Sequence, residues 1–250
     1  YINGVLQDEF RTNSGYIRYL DAQEQATNAM GALINLSVND VVTLTTKGTT
    51  VTGNIVSNNA TLYAEFVKPN RTIFKATTTQ TTAGTDYNTP AQTALEWTES
   101  IKDTGFTHSN GANPEDITLA TIGTYKVAVN LPYYHNGGCP GSAQRSLVRV
   151  RLRLDGVDIP SAVGAEGYIR CQNGFTRTNS AWIGHIKTTA PNQVLTITTQ
   201  QATDSGDPLY ALVDASDAGT REGSLSIERV DSSSDTIILY GNRTVTSTNW

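Results

Sequence analysis

At 250 residues with 38% hydrophobic content, the chain can bury one large apolar core or two smaller ones. Only 16% of its residues are charged and its net charge is −5, a balance that argues against a general binder of nucleic acid or of anionic membranes. No run of about 18 apolar residues occurs, so no segment reads as a membrane-spanning helix.

Polarity comes mostly from Thr, Ser, Asn and Gly rather than from ions. That bias disfavours long surface helices and favours strands, with Asn and Gly at the turns. Residues 1–30 mix aromatic and polar side chains without a period of two and read as an extended arm, with a short helix expected at 21–30 (DAQEQATNAM). Tyr1, Ile2, Val5, Leu6, Phe10, Tyr16 and Tyr19 cannot bury their apolar groups within such an arm, which makes them candidates for draping over a partner and ordering on binding. Residues 31–76 turn to short β-branched runs (INLSV, VVTLTT, VTGNIV, TLYAEFV, TIFKAT) separated by turn signals, and predict a small β unit. Residues 77–93 are nearly free of large apolar groups and read as a Thr-rich linker.

From 94 to 232 the alternation lengthens, in ALEWTESI, TYKVAVNL, SLVRVRLRL, AWIGHIK, VLTITTQ, LYALVD and SLSIERV. Seven or eight such strands predict an all-β sandwich or jelly roll. Asp155-Gly156 and Asn173-Gly174 supply tight reversals between them. Residues 233–250 hold TIILYG, which reads as a last strand or a tail.

Residues 97–230 resemble the TNF/C1q-like family in an early strand (ALEWTESI), a Gly-x-Tyr opener (Gly123-Thr124-Tyr125), a central hairpin (VRVRLRLDGVDI) and a late hydrophobic strand (Gly223 to Arg229). The resemblance covers a little over half the chain and rests on short patterns. It implies a jelly roll that packs as a homotrimer, with Tyr125, Tyr134, Tyr210, Leu225 and Ile227 as the expected seam. An N-terminal extension joined to such a domain by a Thr-rich linker is similar to virus and phage surface proteins. That likeness implies a virion-surface location, with the N-terminal region holding the major capsid protein or another virion subunit. Two alternatives stay open: a receptor-binding knob that recognises a host-surface glycan or protein, and a secreted C1q-like module.

Candidate sites follow from the residues themselves. In the run 147–154, Val148, Val150, Leu152 and Leu154 fall on one face and Arg149, Arg151 and Arg153 on the other. Stacked like charges repel, so this ladder calls for an acidic partner on a neighbouring strand, on another subunit or on a ligand. Cys139 and Cys171 lack any CxxC or Cys/His spacing, which argues against zinc and leaves a disulfide or two buried thiols open. His108, His135 and His185 stand on separate segments, and no nucleophile elbow or phosphate-cradling loop occurs. The expectation is therefore a non-enzymatic protein without metal or cofactor.

Overall fold

The computed structural model describes residues 1–7, 34–45, 72–78, 87–134, 145–164, 167–170, 177–202 and 222–230. The expected helix at 21–30, the Asn173-Gly174 turn, the LYALVD strand, the 233–250 tail and the residues Phe10, Tyr16, Tyr19, His135, Cys139, Cys171 and Tyr210 lie outside them.

Among the described residues twelve strands follow one another: β1 (Ile73–Thr78), β2 (Thr93–Ala94), β3 (Thr98–Lys102), β4 (Phe106–Thr107), β5 (Asp116–Leu119), β6 (Thr124–Tyr134), β7 (Arg145–Leu154), β8 (Val157–Val163), β9 (Gly167–Arg170), β10 (Arg177–Lys187), β11 (Gln193–Gln201) and β12 (Gly223–Val230). They form two antiparallel sheets. The first has the order β10-β6-β12-β1-β3. The second runs β4-β5-β11-β7-β8, with β2 also on β11 and β9 also on β7.

Five of the pairings are nested: β1 with β12, β5 with β11, β6 with β10, and β7 with both β8 and β9. The chain is thus one long hairpin whose paired arms roll over two sheets. Rolling then brings β12 beside β6 and β11 beside β7. That arrangement is a jelly roll, so the expected all-β, jelly-roll sandwich is what the chain forms.

Alternation places the core. In β1, Phe74, Ala76 and Thr78 are buried while the residues between them are half-buried. Val148, Val150 and Leu152 of β7 face Tyr125, Val127 and Val129 of β6 within one core cluster, as the period of two requires. The innermost reversal, Asp155-Gly156, has φ of 50° and 75°, the paired positive values that a two-residue type I′ hairpin needs. Asp155 also ties this turn to β11: its Oδ1 accepts Val194 N–H and its Oδ2 accepts Gln193 Nε2, both at 2.8 Å. Those two bonds hold its carboxyl below the usual range.

One side of the sandwich is closed by direct contact between the sheets. Ser180 Oγ of β10 donates to Val148 O of β7 at 2.8 Å. Trp182 Nε1 donates to Ser161 O at 3.2 Å. Gly164 is required there, because a Cβ would collide with Val150 Cγ1 and the Ala181 carbonyl.

Three expectations are corrected. The boundary drawn at 76/77 cuts through β1, so 72–76 belong to the sandwich rather than to a separate anchoring unit. The C-terminal part of the expected linker is built in: Tyr87 and Asn88 are buried, Gln201 N donates to Thr89 O at 2.8 Å, and Thr93 begins β2. ALEWTESI is not one strand, because the chain changes sheets at Leu95–Trp97, with Leu95 N donating to Ile197 O in the second sheet and both Leu95 and Trp97 buried.

Candidate functional site

The N-terminal residues do not form an extended arm over 1–7. Asn3 and Gly4 have φ of 51° and 79°, and Ile2 and Val5 exchange both backbone hydrogen bonds at 2.9 Å, which makes a tight reversal of the Asn-Gly kind. The reversal clasps residues 41–43. Tyr1 N donates to Thr43 O and Thr43 N to Tyr1 O, both at 3.0 Å, while Asn3 N donates to Val41 O at 2.9 Å. Asn3 completes the clasp through its amide: Oδ1 accepts Val41 N–H at 2.8 Å and Nδ2 donates to Asp40 Oδ1 at 2.7 Å. Ser37 N–H and Asn3 Nδ2 together hold the Asp40 carboxyl below its usual range.

This clasp fixes the backbone and leaves its apolar side chains in solvent. Val38 is 91% exposed, Val5 62%, Val41 61%, Leu44 59% and Leu36 51%. Tyr1, Leu6 and Val42 are exposed as well, whereas the sandwich exposes only Ile122, Val157 and Ile183 among its described large hydrophobic residues. Of the arm residues named from sequence, Tyr1, Val5 and Leu6 lie on this surface and Ile2 is the bridging residue that pairs with Val5 and Val42.

The arginine ladder is on the outward face of β7, and an acidic partner for two of its members comes from the same chain. Asp158 on β8 accepts Arg151 Nη1 on Oδ2 and forms an ion pair with Arg153, whose Nε lies by Oδ1, each at 3.3 Å. Its two oxygens also accept Gln92 Nε2 at 2.8 Å, and Gln92 Oε1 accepts Thr198 Oγ1 at 2.9 Å. Arg149 Nη2 donates to Ala202 O at 2.6 Å, and Arg153 Nη2 reaches Gly156 O. One carboxylate therefore gathers two guanidiniums and ties the β2 strap to the hairpin. Of the three origins open for the partner, the neighbouring strand serves Arg151 and Arg153.

Three of the residues expected at a trimer seam do not reach the surface. Tyr125, Leu225 and Ile227 are 0%, 1% and 0% exposed inside the core of a single chain. Alternation gave the correct pairing of faces but not which face looks inward. Tyr134 ends β6, opposite Arg177. A seam on this sheet must use outward positions such as Ile183, which is 48% exposed.

A further cluster has no counterpart in the sequence reading. His108 follows β4 and is wholly enclosed, with Nδ1 3.1 Å from Glu99 Oε2 and Nε2 3.0 Å from Pro114 O. Lys102 Nζ sits 2.9 Å from the same Glu99 oxygen and donates to His108 O at 2.9 Å. The Phe74 ring meets the imidazole edge-on at 5.3 Å. Burial by itself would raise the Glu99 carboxyl, but hydrogen bonds from Lys102 and His108 outweigh it and hold the group below the usual range. Nothing in the local sequence joins Glu99 to His108; a buried histidine after a two-residue strand is visible only once β3 and β4 are placed in opposite sheets. Among the described residues, no three His, Cys, Asp or Glu side chains converge as a metal site would.

No protein-family model matches the chain, and no curated protein matches it in sequence. Solved structures similar to it include crystal structures of murine APRIL at pH 8.0, pH 8.5 and pH 5.0. Their identities are 9%, 10% and 9%, with TM-scores of 0.39, 0.37 and 0.36, and each alignment covers 64% of this chain and 100% of that one. The nested strand order, not this likeness, defines the jelly roll.

Proposed function

We propose that this chain is a non-enzymatic structural or recognition module whose jelly roll self-associates as a trimer and whose N-terminal clasp docks on a larger assembly. In its finer form the proposal is a decoration or head-fibre protein on the capsid of a tailed phage, with the clasp on a capsid subunit and the sandwich facing outward. The observation that carries it is the concentration of exposed apolar side chains on residues 1–6 and 36–44, set against a sandwich that buries its own. A patch of that kind on an ordered backbone marks a surface meant to be covered by another protein. The trimer is supported by the TNF/C1q-like resemblance of residues 97–230 together with the jelly-roll strand order.

Light scattering on the full chain and on the double variant Val38→Asp, Val41→Asp tests both parts. Trimers from both place self-association on the sandwich; a monomeric wild type removes the trimer, and loss of the trimer in the variant alone makes the clasp the seam. Deletion of residues 1–20 is expected to abolish attachment to capsid particles, and attachment that survives it removes the anchor.

A further inference from the structure

We propose that His108 is a buried imidazolium, protonated on both ring nitrogens, that latches the 109–115 turn onto β3 and releases it as pH rises. Pro114 O is an acceptor shared by two donors. That oxygen accepts Trp97 N–H at 2.9 Å and lies 3.0 Å from His108 Nε2. A carbonyl oxygen can only accept, so Nε2 must carry a proton to be satisfied. At the other ring nitrogen the neighbour is Glu99 Oε2, which also holds the Lys102 ammonium at 2.9 Å. A carboxylate kept ionised by that lysine can likewise only accept, so Nδ1 must carry a proton too. Both conditions hold together only in the cationic ring.

The charged groups that meet the ring are Glu99, which it touches, and Lys102, which shares the same carboxylate oxygen. From β1 the ring meets the Phe74 side chain, and from the turn it meets a backbone carbonyl. A neutral ring with Nε2–H on Pro114 O would set the Nδ1 lone pair against a carboxylate oxygen at 3.1 Å, with the imidazole wholly enclosed. Loss of one proton from either nitrogen therefore turns one of the two ring bonds into a repulsive contact, and either loss breaks the bridge that the ring makes between Pro114 O and Glu99. The turn then keeps the Trp97 N–H to Pro114 O bond, the Glu99 N–H to Asn110 Oδ1 bond at 3.0 Å and the Lys102 bond to His108 O.

Nitrogen-15 spectra of the histidine rings in the full-length protein test the ring state without altering the site. His135→Gln and His185→Gln assign the other two histidines. At the acidic end of a pH series on the folded protein the His108 ring is expected to show two protonated nitrogens; a single protonated nitrogen throughout the series overturns the proposal. Amide exchange at Trp97 and Glu99, corrected for intrinsic rates, tests the latch. Once the ring loses its proton, opening is expected to grow by up to about tenfold per pH unit, as release of one proton dictates. His108→Gln should remove that dependence. A doubly protonated ring whose turn opens independently of pH overturns the latch.

Discussion

Glu99 shows how a residue's neighbours, rather than its exposure, set its contribution to stability. Burial pushes its carboxyl up, but the hydrogen bonds and charges of Lys102 and His108 outweigh that and hold it below the usual carboxylate range. A carboxyl depressed in the folded state stabilises the fold above its unfolded value and gives that contribution up as pH falls through the folded one. Thermal melts of the full chain should therefore lose stability below about pH 4.5 more steeply than melts of Glu99→Gln; parallel curves would show that the carboxylate is not the titrating group. Gly164 makes the complementary point about space. A methyl group there has no room between Val150 and the Ala181 carbonyl, and Gly164→Ala should cost about 1–3 kcal/mol, the usual range for overpacking, read from the urea midpoint. An unchanged midpoint would mean that β8 and β10 can separate cheaply.

At the scale of elements, turn chemistry decides what is local and what is not. Gly156 has φ of 75° with nothing within 4 Å of where a Cβ would stand, so Gly156→Ala isolates backbone strain and should cost about 1–2 kcal/mol. Urea denaturation measures it, and a loss well outside that range would mean the turn relaxes or that the hairpin register fails. This turn was legible in the sequence because Asp-Gly sits between two alternating runs. Asn3-Gly4 carries the same signal, but it stands in a segment without alternation and so read as an arm. The ladder of β7 was legible as a face, since Arg149, Arg151 and Arg153 are spaced by two. Asp158 was not legible as its partner, because that assignment depends on a register shift between Arg151 and Arg153 in the β7–β8 pairing. The crossing at Leu95–Trp97 was hidden for a related reason: a chain that leaves one sheet for the other keeps its apolar residues buried on both sides of the bend, and the pattern looks like a single strand. Tyr125, Leu225 and Ile227 alternate correctly, yet period two cannot say whether their face meets the other sheet or a second subunit.

At the scale of the molecule, the nested hairpin makes the last arm the one that completes the first sheet. β12 lies between β6 and β1, pairing Ile227 with Val127 on one side and with Phe74 on the other. All its side chains except Arg229 are buried, although SLSIERV alternates in the manner of a half-exposed strand. The β1–β12 pair joins residues 73 and 228, so it closes a loop that spans nearly the whole sandwich and carries the entropy cost of that closure. Without β12, β1 and β6 would each lose a ladder of backbone bonds and expose the inner residues of the first sheet. A chain ending at residue 222 is therefore expected to lose cooperative thermal unfolding altogether, whereas Ile227→Ala in the full chain should keep it and cost about 2–5 kcal/mol. Calorimetry on the two proteins separates the cases. A cooperative transition in the shortened chain would mean that β1 and β6 close on each other without β12, and the fold would then be a sandwich with an added strand rather than a hairpin rolled shut by its last arm.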